Sequence, residues 1–240
     1  MMGVQGSEAG DRGSDSVDGM QVDSLTPVAQ DYIKAIWSAT EWGDPPITAK
    51  ALAFRFSTTP ANVTETMKRL AAQGLITYQP YKPVHLTVIG SRLAVVMVRR
   101  HRIIETFLVT TLGYRWDEIH NEAERLEHGT TNELIDRLDA FLGHPTTDPH
   151  GDPIPTADGQ THTIAGAVRL IDASAGEHLV RRISDTDPNN LAAATALGIT
   201  PGTLINTHAH NNGLTIDTPH GQKLIPTPLA NATWVTPVIG

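Results

Sequence analysis

The sequence predicts an α+β fold, with helices filling roughly the first 140 residues and a small β-barrel closing the chain. Three observations carry this. Apolar residues recur at helical spacing behind Thr and Pro start signals from Thr26 onward. A segment rich in Pro, Gly, Asp and Thr, 143–160, interrupts that pattern. Beyond it, short β-like runs alternate with turns.

Residues 1–24 are rich in Gly, Ser and Asp, with few large apolar side chains, and read as a disordered tail. Tyr32, Ile33, Ile36 and Trp37 then give one helix an apolar face, which ends before Gly43-Asp44-Pro45-Pro46. Thr48 caps a short helix through Phe56. Thr59-Pro60 has the form of an N-cap and first helical position, opening a helix to about Gln73, with Gly74 as its C-terminal cap. Two extended runs, 75–78 and 84–86, flank a turn at Gln79-Pro80-Tyr81-Lys82-Pro83. Thr87 caps a long helix to Leu112, with room for a break near its middle, and helices follow at 116–128 and 130–142. After the linker, β-like runs lie at 168–171, 204–207, 214–217, 224–226 and 233–238, with an Ala-rich helix at 189–197.

Composition narrows the function classes. The chain of 240 residues has 40% hydrophobic residues, enough for real cores, and no cysteine. Disulfides, thiolate zinc sites and thiol catalysis are therefore excluded, which is compatible with a reducing cytoplasm. No apolar run is long enough to span a membrane, and no secretory signal pattern is visible. The net charge of −8 is unevenly spread. Residues 45–102 carry nine Lys or Arg against one acid, Glu65, whereas 103–139 carry nine acids against three Arg. A basic module suited to a polyanion precedes an acidic one suited to cations.

The acidic module holds His120, Glu124, Glu127 and His128 at i, i+4, i+7 and i+8, one stripe of a helix. Two imidazoles and two carboxylates stacked this way repel unless a cation sits among them. A second pair, His101 and Glu105, lies upstream at i, i+4. Nitrogen and hard oxygen without sulfur suit manganese or ferrous iron. The same helix has an apolar stripe at Trp116, Ile119, Ala123 and Leu126, so taken alone the polar stripe could be a wet face. His208, His210 and His220 read as surface histidines of the β segment. His144, His150 and His162 read as capping or turn residues in or beside the linker.

In the basic module, two short helices and a hairpin describe a winged helix-turn-helix. The second helix turns Val63, Met67 and Leu70 inward and Ala61, Asn62, Thr64, Glu65 and Lys68 outward, where they can reach base edges. Tyr81 and Lys82 at the hairpin tip suit a phosphate or minor-groove contact.

Together these pieces resemble the metal-dependent transcriptional repressors of the diphtheria toxin repressor (DtxR) and manganese transport regulator (MntR) type. The residues that carry the resemblance are Asp31-Tyr32-Ile33-Lys34-Ala35-Ile36-Trp37, the stretch 59–76, Arg99-Arg100-His101-Arg102 with Glu105, and His120 with Glu124, Glu127 and His128. Pro149-His150-Gly151-Asp152-Pro153-Ile154-Pro155 and Leu197-Gly198-Ile199-Thr200-Pro201-Gly202-Thr203 add to them.

The resemblance implies a disordered tail (1–24), a winged-helix DNA-binding domain (25–94), a helical dimerisation and metal-binding domain (95–142), a linker (143–162) and an SH3-like, FeoA-like β-barrel (163–240). It implies an activating metal site of Asp31, Glu124, Glu127 and His128, with carboxylates at the two positions where iron-type members carry sulfur. It also implies an ancillary site of His101, Glu105 and His120, completed from the barrel by Asp187 and Asn190. Lys34 stands where two-domain manganese regulators carry a second carboxylate, which points to two separate sites rather than a bridged metal pair. Thr59, Ala61, Asn62, Thr64, Glu65, Lys68 and Lys82 become the DNA-binding set. The expected protein is a cytoplasmic homodimer that represses metal-uptake genes by binding double-stranded operator DNA. Its expected metal is Mn2+, with Fe2+ as the alternative. A metallohydrolase built on the His/Glu cluster is the rival; it leaves the basic module unexplained and lacks a recognisable hydrolase motif. A DNA-binding protein with no metal dependence would leave the acidic stripe unexplained.

Overall fold

The computed structural model describes residues 20–80, 82–210, 213–218 and 221–238. Most of the acidic tail, Tyr81, His220 and the side chain of His210 lie outside the described residues. The chain divides into two compact units, Met1–Val95 and Val96–Gly240.

The first unit contains α1 (Pro27–Glu41), α2 (Ala49–Arg55), α3 (Pro60–Ala72), β1 (Ile76–Thr77), β2 (His85–Leu86) and the start of α4 (Val88–Thr110). Its helices begin where local chemistry dictates. Thr26, Thr48 and Thr59 each accept a hydrogen bond from the backbone N–H three residues on, and Pro27 and Pro60 hold the first helical positions of α1 and α3. Each such cap stabilises its helix by about 1 kcal/mol. Val63, Met67 and Leu70 are buried, so α3 turns inward the face that its periodicity marks out. Tyr32 stacks on Phe56 with ring centroids 4.5 Å apart, tying α1 to the end of α2. Strands β1 and β2 pair antiparallel, Ile76 opposite Leu86 and Thr77 opposite His85, forming the wing. Thr87 caps α4 by accepting from Gly90 N while donating to Gly74 O at 2.7 Å. Gly90 lets α4 lie directly on the backbone entering the wing, because a Cβ there would stand 1.9 Å from Leu75 O.

Helix α4 runs unbroken from Val88 to Thr110, without the midpoint break that the sequence allowed. From Leu93 to Leu108 it is buried on nearly every side, and the buried Arg99, Arg100, His101, Arg102 and Glu105 interrupt its apolar residues, so no single clean apolar stripe remains.

The second unit holds the rest of α4, α5 (His120–Glu127), α6 (Asn132–Phe141) and the barrel. Helix α5 starts four residues later than expected. Arg115 instead draws Asp117 into a local pair, two N–O contacts of 3.1 and 2.8 Å, within a turn. Ile103, Ile104, Leu108, Ile119, Ala123, Ile135 and Ile154 form one core. The barrel is a six-stranded antiparallel sheet in the order β3 (Val168–Arg169), β8 (Thr233–Pro237), β4 (Gly176–Ile183), β5 (Leu204–His210), β6 (Gly213–Thr218) and β7 (Gly221–Leu224). Helices α7 (Pro188–Leu197) and α8 (Thr227–Ala232) complete it. Leu170, Val180, Ile183, Leu191, Ile216 and Val235 are among its buried core residues, and Trp116 packs against them.

Two elements escaped the sequence pattern: α8 and the long central strand β4. The sequence Gly176–Ile183 reads GEHLVRRI, which its charges disguise. Arg182 is buried because Asp152 takes its Nε at 2.5 Å and the Trp234 ring lies 4.4 Å away. The segment expected as a linker is partly built into the fold. Residues 148 and 150–155 are buried, and the Asp148 carboxylate accepts from His150 N and Asp152 N. Gly151 has φ +86°, and a Cβ on it would lie 2.0 Å from Arg181 O, so this turn sits against β4 as only glycine permits.

Candidate metal centres and DNA-reading surface

Helix α4 presents His101 and Glu105 one turn apart, and α5 presents His120 at its first position. The His101 Nε2 lies 3.0 Å from Glu105 Oε1 and 3.2 Å from His120 Nδ1. Past the end of β4 comes Asp185, whose Oδ2 lies 3.0 Å from His120 Nδ1. One ligand-type atom from each of His101, Glu105, His120 and Asp185 falls within 4.8 Å of every other. The segment after β4 thus places Asp185 in this cluster, a residue absent from the sequence expectation. Asp187 instead caps α7, its Oδ1 accepting from Asn189 N at 2.9 Å, and Asn190 follows on that helix. Register with the sequence 191–202 points to Asp187 and Asn190, whereas Asp185 is delivered by β4, a strand with no apolar signature in the sequence.

A second group, Glu105, Asp148 and His150, adjoins the first and shares Glu105; all three side chains are buried. His150 is not a simple turn residue. Its Nε2–H donates to Trp116 O at 2.7 Å, and its Nδ1 lies 3.6 Å from Glu105 Oε2. A neutral imidazole that donates through Nε2 carries its lone pair on Nδ1. A lone pair facing a buried carboxylate repels it unless a proton or cation stands between. His150 Nδ1 and both Glu105 oxygens are buried and lie close together, the oxygens within ion-pair distance of histidine nitrogens but without a well-aligned hydrogen bond. An imidazole held by a backbone carbonyl on its far nitrogen is the usual posture of a metal-bound histidine. The donor set fits a hard divalent ion.

The electrostatics agree. Burial pulls His120 down, but its hydrogen bonds with Asp185 and Glu105 and their charges outweigh it and raise the group to about 10. Burial likewise lowers His150, and Glu105 raises it to about 10. Asp185 is lowered far below the carboxylate range: burial opposes this, but the hydrogen bond to His120 prevails. Glu105 also falls well below its usual range despite full burial, chiefly through His101. Asp148 is pushed up to about 8 by burial and by Asp152. Without a cation, the site holds its carboxylates by protonating its histidines.

The other expected ligands lie as follows. Glu127 is fully buried on α5, and its Oε2 stands 2.6 Å from His101 Nδ1. His128 is half-buried at the C-cap of the same helix. Glu124 Oε1 is 3.5 Å from His120 Nε2. In the first unit, Asp31 is half-buried on α1 and lines a concavity with Tyr32, Phe56, Thr66 and Arg69.

Along α3, Ala61, Asn62, Glu65 and Lys68 are exposed and Thr64 is half-buried; Thr59 and the wing residue Lys82 are also exposed. His208 Nε2 lies 2.9 Å from Asp217 Oδ1 between neighbouring strands of the barrel. No helix among the described residues is long and apolar enough to cross a membrane.

The family model for the iron dependent repressor N-terminal DNA binding domain matches residues 24–84. The model for the iron dependent repressor metal binding and dimerisation domain matches 87–156. The iron-dependent repressor IdeR of Mycobacterium tuberculosis is 29% identical over 231 residues, covering 90% of this chain and all of that protein. The diphtheria toxin repressor of Corynebacterium glutamicum is 30% identical over 189 residues, covering 75% of this chain and 82% of that one. Among solved structures, a manganese-dependent transcriptional repressor in complex with manganese is 43% identical, with a TM-score of 0.80, covering 88% of this chain and all of that one. The manganese regulator SloR is 29% identical, with a TM-score of 0.77, covering 89% and 100%.

Proposed function

The chain belongs to the iron-dependent repressor family, the metal-dependent transcriptional repressors of the DtxR and MntR type, and we propose that its activating ion is manganese(II). The observation that carries this is the donor set. Every candidate ligand is an imidazole nitrogen or a carboxylate oxygen, and the chain has no cysteine. Manganese(II) stands lowest in the divalent affinity order, so a protein selects it through hard ligands and geometry. The manganese complex at 43% identity supports the same reading.

We assign the ancillary site to His101, Glu105, His120 and Asp185, with Asp148 and His150 extending it, supported by their convergence and by the burial of the Glu105 oxygens and His150 Nδ1 without a well-aligned hydrogen bond. We assign the activating site to Asp31, Glu124, Glu127 and His128. For Asp31 the support is the sequence resemblance; for Glu127 and His128 it is also their place at the end of α5. A bound divalent ion supplies positive charge that these carboxylates otherwise obtain from protons. Its effect on DNA binding is limited to its differential affinity for the DNA-competent and incompetent states.

Helix α3 enters the major groove in this reading. Ala61, Asn62, Thr64 and Glu65 face bases, and Thr59, Lys68 and Lys82 face phosphates. The protein acts as a cytoplasmic homodimer on double-stranded operator DNA upstream of metal-uptake genes. The dimerisation match and the exposed apolar side chains Leu112, Tyr114, Leu126, Leu134 and Phe141 support self-association. Operator binding titrated against free manganese and, anaerobically, against free ferrous iron tests the metal. Activation by manganese at free concentrations no higher than those of iron is expected. Activation by iron at far lower concentrations would make the chain an iron-dependent repressor.

A further inference from the structure

We propose that Glu65 is the specificity residue that reads a cytosine in the operator; this rests on the reading of α3 as the helix that enters the major groove. Glu65 is the sole acid among nine Lys and Arg between residues 45 and 102. It lies on the exposed face of α3, one turn after Ala61 and Asn62 and one turn before Lys68 and Arg69. Three of its polar neighbours on the helix are already engaged. Asn62 Nδ2 donates to Thr58 Oγ1 at 3.1 Å, Thr64 Oγ1 donates to Pro60 O at 2.9 Å, and Arg69 Nη2 donates to Thr66 Oγ1 at 3.2 Å. Glu65 makes no hydrogen bond or ion pair among the described residues, not even with the basic side chains three and four positions on.

A carboxylate aimed at a duplex is repelled by the phosphates. Its place on a reading face requires a donor that offsets this. The major groove offers two amino donors, cytosine N4 and adenine N6. Beside adenine N6 lies the N7 acceptor, which repels a carboxylate. Cytosine has no such neighbour on its own edge, so the acid discriminates in its favour, by roughly 10- to 150-fold where one hydrogen bond to the charged group is lost. Glutamine at the same place matches the adenine edge, donating to N7 and accepting from N6.

The test is enrichment of duplexes from a randomised pool by the full-length protein in manganese(II), for wild type, Glu65→Gln and Glu65→Ala. The wild type should return cytosine at one position of each half-site. Glu65→Gln should return adenine there, and Glu65→Ala no preference there, with every other position unchanged. Identical base preferences in all three proteins would overturn the assignment. So would tighter binding of every sequence by Glu65→Ala with no positional change, since Glu65 would then merely repel phosphate. A wild type that enriches no sequence overturns the operator-reading function beneath the proposal, and is distinguishable because all three proteins then fail alike.

Discussion

His101 Nδ1 lies 2.6 Å from Glu127 Oε2, while the other nitrogen of the same ring lies 3.0 Å from Glu105 Oε1. One imidazole on α4 thus touches a residue assigned to each of two metal sites. Its two nitrogens cannot both be unprotonated donors to an ion and both remain hydrogen-bonded to carboxylates, so filling one site changes what His101 offers the other.

His101→Ala should therefore disturb both sites, whereas His128→Ala should leave the His120 site able to bind. Calorimetry with manganese should find one class of site lost in His128→Ala and both weakened in His101→Ala, each by at least the roughly 10- to 100-fold that loss of an outer partner costs. Full affinity at one site in His101→Ala would break the link.

Asp185 and Asp187 separate cleanly in the same assay. Asp185→Asn should weaken the ancillary site by at least about tenfold. Asp187→Asn should leave metal binding unchanged and the melting temperature nearly so, because Asn caps a helix as well as Asp. The reverse pattern would restore Asp187 as the barrel's ligand.

Proton release gives a third check. In the metal-free fold His120 and His150 are each raised from 6.5 to about 10. Their contribution to metal-free stability is full below about pH 6.5 and is lost as pH rises through about 10. Metal binding requires both rings to be neutral, so loading near pH 7.5 should release about two protons from them and up to one more from Asp148, which is raised to about 8, and each pH unit downward should cost about 100-fold or more in apparent affinity. Indicator-dye titration counts the protons. Binding that releases none, with affinity flat between about pH 6.5 and 8.5, would exclude these two rings as ligands.

The helical elements were legible because local chemistry marks them twice, with a Thr cap and often a Pro behind it, and then with one apolar face, as on α3. The pairs His101 with Glu105 and His120 with Glu124 are legible from their i, i+4 spacing, whereas the grouping of His101, Glu105 and His120 rests on the family resemblance. What stayed hidden depends on contacts far along the chain. Strand β4 buries Arg182 against Asp152 and Trp234, so its apolar signature is absent. Asp185 inherits that invisibility. His150 looked like a turn residue because nothing in Pro149-His150-Gly151 reveals that the turn folds inward onto Glu105.

The central claim is that metal occupancy controls DNA binding, and operator affinity of the same protein preparation, first with metal chelated and then at rising free manganese, tests it most directly. The chelated protein should retain its helical circular dichroism yet bind operator no more tightly than random duplex, and manganese should restore sequence-specific binding. Equal operator affinity with and without metal would contradict it.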